Sequence, residues 1–391
     1  MREASSSEGR AFEIPLSDPD LTEEELFAVD SVLRSPEIGG GAFVEQWERE
    51  FAAWVGRNHA VAVSSGTIGL WLALRALGIG TGDRVILSGY SWHQIGAAIA
   101  LCGAEPVFTE IDYWSGTLSA TRAAEASGGG VRAILAGNTL GHPAAWKELQ
   151  RLAEEQGLLL LEDSTESVGS RYGDRRTGGF GRVAVFDFSQ PGALASGEGG
   201  MVVTDDEELA AQIRYGRSRS REERFSGIAT MVPPLHALPS NLTAALGLVQ
   251  LKRVEKILER RRVVEAWYFQ QMKSFEGIKD PYVAPEATEV HWFLYPVHLG
   301  TRFTRSSRDA ILEDLVQAGI EASAYCQPMH LHGCFLEGGW RKGRLPVTEK
   351  VADRSIVLPF HAHLTEEQVA FIVKTLKDAS INVGAGAAIY L

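Results

Sequence analysis

No lysine occurs between Lys147 and Lys252, so that stretch of the chain has no side-chain amine with which to capture a carbonyl. Cysteine is scarce as well. Cys102, Cys326 and Cys334 form no close CxxC-type pair, which argues against a thiolate metal site or a disulfide framework and fits a reduced, cytoplasmic protein. There is no basic run and the formal net charge is −12, which makes nucleic acid and anionic membrane surfaces poor partners. No apolar run is long enough to span a bilayer. The opening stretch MREASSSEGR lacks the apolar core of a secretory signal, and a disordered tail is expected over 1–11.

What remains is ordinary globular composition, 45% hydrophobic and 23% charged over 391 residues, enough for two domains. Through the first two-thirds, strand-like and helix-like runs alternate. HAVAVSS (59–65) precedes a helical GTIGLWLALRALGI, and RVILSG (84–89) precedes HQIGAAIALCGA. EPVFTEID reads as a strand; VRAILAGN (131–138) leads to an amphipathic helix ending at Gly157, and LLLLED (158–163) is an apolar strand closed by two carboxylates. Near-continuous apolar strands alternating with helices predict an α/β fold with a mostly parallel sheet between helices. One long helix is expected over about 241–275, then an α+β region with helices near 306–319 and 365–379. The expected division is a large domain over 12–262 and a smaller C-terminal domain over 263–391.

In such a sheet, ligands sit at the carboxyl ends of the strands, and three stretches fall there. SSGT (64–67) joins a strand to a helix; Gly66 and Thr67 either cradle an anion on free helix-start N–H groups or form a plain capped turn. Asp163 ends a buried strand, where its carboxylate needs a partner: a protonated ring nitrogen would serve, and so would a cap on the next helix. In GYSWHQ (89–94), Trp92 either stacks on a flat ligand or packs in the core, and His93 follows it. The pairs His330/His332 and His361/His363 are spaced i, i+2, as on one face of a strand. No carboxylate or thiol pattern accompanies them, so structural or pocket roles are favoured over metal.

Taken in order, AVAVSSGTIGLWLALRALGIGTGDRVILSGYSW, GAEPVFTEID, GLLLLEDSTESVGSRYGDRRTGGFGRVAVFDF, GEGGMVVTDD, AALGLVQL, QPMHLH and VLPFHAHLTEEQV resemble the DegT/DnrJ/EryC1/StrS sugar aminotransferases, nearly end to end. The resemblance implies a pyridoxal-phosphate transferase scaffold of fold type I, a dimer with a second copy or a related subunit, and a nucleotide-sugar or aminocyclitol type of substrate. Gly66 and Thr67 match the phosphate cradle, Trp92 the aromatic on the pyridine ring, and Asp163 the carboxylate that keeps the ring nitrogen protonated.

Other positions depart. In FDFSQPG (186–192), Gly192 stands where the resemblance places the Schiff-base lysine, and Asp187 replaces a serine that contacts the phosphate, with Ser189 beside it. His236 and Leu238 replace an asparagine and an arginine, Glu166 a glutamine or histidine near the ring oxygen, and Asn138 a histidine. Several changes around one ligand favour a natural departure over a single engineered variant. Three readings follow. The chain is a non-catalytic member acting by pairing; or an enzyme with lysine-independent chemistry, dehydratase-like or cofactor-free, with His93 or His236 as candidate bases; or an ordinary aminotransferase with its lysine supplied from elsewhere. Binding of pyridoxal phosphate is the point on which they divide.

Overall fold

The computed structural model describes residues 12–189, 192–218, 235–273, 275 and 277–388, so the expected tail over 1–11 and the turn residues Gln190 and Pro191 lie outside the described residues. The apolar runs form a seven-stranded sheet. Its strands are β1 (His59–Val63), β2 (Arg84–Ser88), β3 (Glu105–Thr109), β4 (Val131–Gly137), β5 (Leu159–Asp163), β6 (Val183–Asp187) and β7 (Gly200–Thr204). The order across the sheet is β1-β7-β6-β5-β4-β2-β3. All neighbours are parallel except β7, which runs antiparallel to both β6 and β1. β6 and β7 are therefore joined by a return loop on the sheet's carboxyl edge, and its described positions 188–189 and 192–199 lie where ligands bind such folds.

Helices cover both faces. On one face lie α1 (Gly66–Ala76), α2 (Gln94–Leu101) and α3 (Glu207–Arg217), which bury Leu70, Leu74, Ile95, Ile99, Leu209 and Ile213 against Val61, Leu87, Leu135 and Leu161. The other face takes Trp47 and Phe51 from the helix Ala42–Val55, and Trp146 and Leu149 from the helix Trp146–Gln156. Local chemistry sets the helix ends. Ser65 and Asp206 accept N–H groups of the first turns of α1 and α3, and Gly157 ends its helix in a left-handed conformation with φ 65°.

A single helix, α4 (Asn241–Met272), ties this layer to the rest. Its first half packs Leu248, Leu251 and Val254 on the sheet, and its second half gives Val264, Tyr268 and Met272 to a separate core. That second core surrounds an antiparallel sheet of β8 (Ile278–Lys279), β9 (Tyr295–Leu299) and β10 (Ser355–Leu358), with α5 (Arg305–Gln317) and α6 (Glu366–Ala388) beside it. Ile14 from the opposite end of the sequence also enters it, bridging to Ile320. Between the cores, the buried Arg261 donates to the carbonyls of Phe360, Trp292 and Phe293.

The histidine pairs are not placed as their spacing suggests. His330 sits in a single 3-10 turn, Met329–Leu331, and His361 and His363 follow β10 in irregular chain. Pairing to a neighbouring strand would be needed to extend the i, i+2 geometry, and neither stretch has it. His330 is buried and meets Glu349 at 3.0 Å. Among the described residues, no three His, Cys, Asp or Glu side chains gather as a metal site, and no helix is long and apolar enough to cross a membrane.

Candidate active site at the carboxyl edge of the sheet

Alternation along β5 decides the fate of its two carboxylates, because successive side chains face opposite sides of the sheet. Glu162 turns toward the Trp146 face and accepts from Gly178, Phe180 and Gly181 N–H, from Ser164 Oγ and from Asn138 Nδ2. It is a structural anchor with every lone pair engaged. Asn138 completes that anchor, since its Oδ1 accepts from Ala144 N and Trp146 Nε1. Asp163 turns the other way, toward α1 and α2.

There it joins a hydrogen-bonded chain. Asp163 accepts from Thr165 N at 3.0 Å and from Gln94 Nε2 at 3.1 Å, and Gln94 also donates to Thr165 Oγ1 at 2.8 Å. Thr165 Oγ1 accepts from Asp187 N at 3.2 Å. The Asp187 carboxylate then accepts from Gly66 N at 2.6 Å through one oxygen, and from Ser189 N at 2.9 Å and Ser189 Oγ through the other. Gly66, Asp163, Asp187 and Ser189 are thus brought together, with Gln94 and Thr165 as links between them. Thr67 follows Gly66 in the first turn of α1 and is half-buried.

The helix start at Gly66 is closely filled. A Cβ on Gly66 would lie 2.7 Å from Asp187 Cβ and 2.8 Å from Gln94 Oε1. Burial pushes the Asp163 carboxyl up to about 6; hydrogen bonds from Thr165 and Gln94 pull the other way, and the Asp187 charge adds to the rise.

Trp92 lies immediately before α2, half-buried, with its ring edge-on to Phe293 at 6.1 Å. A Cβ at Gly192 would lie 3.7 Å from Phe293 Cε2 and from Leu194 O, ordinary contact distances, but the backbone φ of 159° there is one that residues with side chains rarely adopt. His93 is exposed at the helix start. His236 is exposed in the segment before α4, whose Ala237 carbonyl accepts from Ser64 N at 2.8 Å, two residues before the Gly66 turn. Leu238 in that segment packs against Gly40.

Glu166 forms a second buried centre. Both its oxygens accept from Tyr325 OH, at 2.6 and 2.7 Å, and one accepts from Leu140 N at 2.6 Å. Burial raises its carboxyl to about 8 despite those bonds, with Asp163 contributing to the rise. Gln94, Thr165 and Tyr325 were missed by sequence reasoning. Gln94 was within reach of it, as a polar residue in the first turn of a helix that follows a sheet strand. Tyr325 carries no local signal, because it arrives from the C-terminal layer 159 positions away from Glu166.

A seven-stranded, mostly parallel sheet with one antiparallel member, and a long helix leading to a smaller antiparallel layer, define the class of fold type I pyridoxal-phosphate transferases. Residues 19–377 match the DegT/DnrJ/EryC1/StrS aminotransferase family, and the chain belongs to that family. It is 32% identical over 378 residues to the spore coat polysaccharide biosynthesis protein SpsC of Bacillus subtilis, covering 93% of this chain and 96% of that one. With the GDP-perosamine synthase of Caulobacter vibrioides it shares 31% identity over 342 residues, 87% of this chain and 91% of that one. Among solved structures, S. venezuelae DesV in complex with a ketimine intermediate superposes with a TM-score of 0.86 at 30% identity, covering 95% of this chain and 99% of DesV. The aminotransferase TlmJ from Streptoalloteichus hindustanus gives 0.87 at 29%, covering 95% and 100%.

Proposed function

We propose that this chain keeps the family's scaffold but does not carry out lysine-dependent transamination, and that it serves as a non-catalytic or partner subunit in small-molecule biosynthesis of the amino-sugar or aminocyclitol kind. The observation that carries this reading is the Asp187 carboxylate on Gly66 N–H at 2.6 Å. A helix start has only a few outward N–H groups, and here an internal anion holds one of them, Gly66 N–H, while Ser65 Oγ takes Ile68 N–H. Two unit charges about 4 Å apart at an effective dielectric near 20 repel by about 4 kcal/mol. That exceeds the roughly 1.5–3 kcal/mol of one charge-assisted hydrogen bond.

The residues present fit pyridoxal phosphate on one side only. Trp92 and Asp163 suit a pyridinium ring, while Asp187 and Gly192 oppose the phosphate and the covalent link. Pairing with a second copy or a related subunit is supported by Leu26, Phe27, Leu33 and Ile38, large apolar side chains left exposed within one stretch of the chain.

The test is to incubate the full chain with pyridoxal phosphate, reduce with borohydride and map the products by mass spectrometry. No stoichiometric pyridoxyl-lysine is expected. A single lysine labelled one-to-one would establish an ordinary aminotransferase instead.

A second reading, lysine-independent chemistry on a sugar-like substrate, draws on Asp163 at about 6 and Glu166 at about 8, two buried carboxyls able to hold or release a proton near neutrality. It predicts exchange of solvent deuterium into a keto-sugar nucleotide, abolished by Glu166→Gln. Absence of exchange would leave the partner-subunit role.

A further inference from the structure

We infer that a cavity between the two layers is a separate binding site for an aromatic acid, with the ring held at the mouth and the carboxylate at the exposed amine of Lys279. Neither Asp163, Glu166 nor Asp187 lines it. It shares one wall with the site above, Leu140, whose N–H bonds Glu166. The inference goes beyond the partner-subunit reading and stands whether or not that reading does.

Strand register decides which charge faces this space. Lys279 on β8 lies opposite His298 on β9, and His298 lies opposite Ser355 on β10. Directly paired residues share a face of the sheet, so the three make one row, and all three line the cavity. Lys279 has no ion pair or hydrogen bond among the described residues. Two further cations stand behind the row. Lys350 lies 5.8 Å over the Tyr113 ring, whose edge meets the His298 ring, and Arg354 precedes Ser355. Burial chiefly, then these two charges, pushes the His298 imidazole down to about 4.

The carboxylates nearby are already engaged. Asp280 also reaches the lining, but it accepts from Tyr295 OH at 3.3 Å, and burial raises its carboxyl above the ordinary range. Asp112 Oδ1 accepts from Trp114 N and Ser115 N at 3.0 and 2.9 Å. An unspent amine with a surplus of cations behind it favours an anion.

The walls and the mouth favour an apolar, flat body. Leu140, Trp292, Val297 and Val351 are buried apolar lining, and at the back the Tyr90 hydroxyl is taken up by Ser355. The space is about 80 Å³, whereas a cavity of about 150 Å³ encloses benzene whole. A ring therefore enters part-way by its apolar edge. Its faces lie against Trp114 and Tyr282, which are 63% and 42% exposed with centroids 6.3 Å apart. Tyr282 is held by stacking on His142, which accepts from Ala284 N at 3.0 Å, and Trp114 is held through Asp112. Aromatic faces fixed before binding lose little freedom when a ring lies on them. A carboxylate on the outer edge of the ring then stays at the rim, where Lys279 is.

Sodium benzoate is the probe, titrated into the full chain at low salt and followed by ligand-observed NMR and tryptophan fluorescence. Saturable binding is expected, weakened about tenfold by Trp114→Ala and at least about tenfold by the charge reversal Lys279→Glu, and kept within about threefold by Lys279→Arg. Benzyl alcohol is expected to bind about fivefold more weakly than benzoate, and benzylammonium more weakly still. Added salt should weaken benzoate and leave benzyl alcohol unchanged. Trp114 and Lys279 are both exposed, so the variants keep their fold, checked by unchanged melting temperatures. Benzoate binding that is absent, or equal in wild type, Trp114→Ala and Lys279→Glu, would overturn the site. Benzylammonium or benzyl alcohol binding as tightly as benzoate would overturn its choice of an acid.

Discussion

Asp187 and Gly66 meet at 2.6 Å, carboxylate to helix-start N–H, across 121 positions of sequence. The contact satisfies one of the orphan donors of α1 and places negative charge at the positive end of its dipole. Asp187→Ser removes that internal anion. Affinity for pyridoxal phosphate is expected to rise by about a hundredfold or more, the equivalent of relieving roughly 3–4 kcal/mol of repulsion. Calorimetric titration measures it, with dephosphorylated pyridoxal as the control. Equal affinities for wild type and variant would show that Asp187 is not the obstacle.

Restoring the amine alone should achieve little. Gly192→Lys meets no clash at its first carbon beside Phe293 and Leu194 but must take a φ of 159° that side chains disfavour, and the phosphate still meets Asp187. The single variant is expected to give no stable aldimine absorbance after dialysis. The double variant Asp187→Ser, Gly192→Lys is expected to give one that borohydride fixes at residue 192. A stable aldimine in the single variant would shift the weight of the argument from the carboxylate to the missing lysine.

Stability should fall as the medium becomes alkaline. Glu166 rises from an ordinary 4.5 to about 8 in the folded chain because burial disfavours its charge. The folded state therefore binds the proton more tightly than the unfolded state. The resulting stabilisation is complete below about 4.5 and is lost as pH rises toward 8. Asp163 acts in the same direction over 3.8 to about 6. Glu166→Gln, neutral at every pH, should flatten the melting-temperature profile between pH 5 and 8.5, a difference on the order of a few kcal/mol at the alkaline end. Parallel profiles would mean that the carboxyl stays ionised throughout.

Arg261 joins the layers by donating to three carbonyls from its buried position. Its guanidinium is held down near 9 by burial, so it is bound by these carbonyls at some desolvation cost. Arg261→Met leaves three acceptors without a donor. Unsatisfied buried groups cost about 1–3 kcal/mol each, and a loss of at least about 3 kcal/mol in urea unfolding is expected. A loss under about 1 kcal/mol would indicate that water reaches the carbonyls.

Read alone, the sequence determined a good deal of this protein. The alternation of apolar strands with helices, the capped turn at Ser65 and Gly66, and the glycine that ends the helix at Gly157 are set by neighbours a few positions apart, and they hold in the structure. It also settled the chemical inventory, since no folding can put an amine on Gly192. Tertiary structure decided what spacing does not encode. It decided which face of the sheet each of Glu162 and Asp163 meets, and so their different duties. It decided that Gln94 and Thr165 link Asp163 to Asp187, that Tyr325 crosses from the other layer to Glu166, and that the histidine pairs lie off the strands. A side chain's partners depend on which distant surfaces the fold brings within about 3 Å, and that distance is fixed by packing rather than by position along the chain.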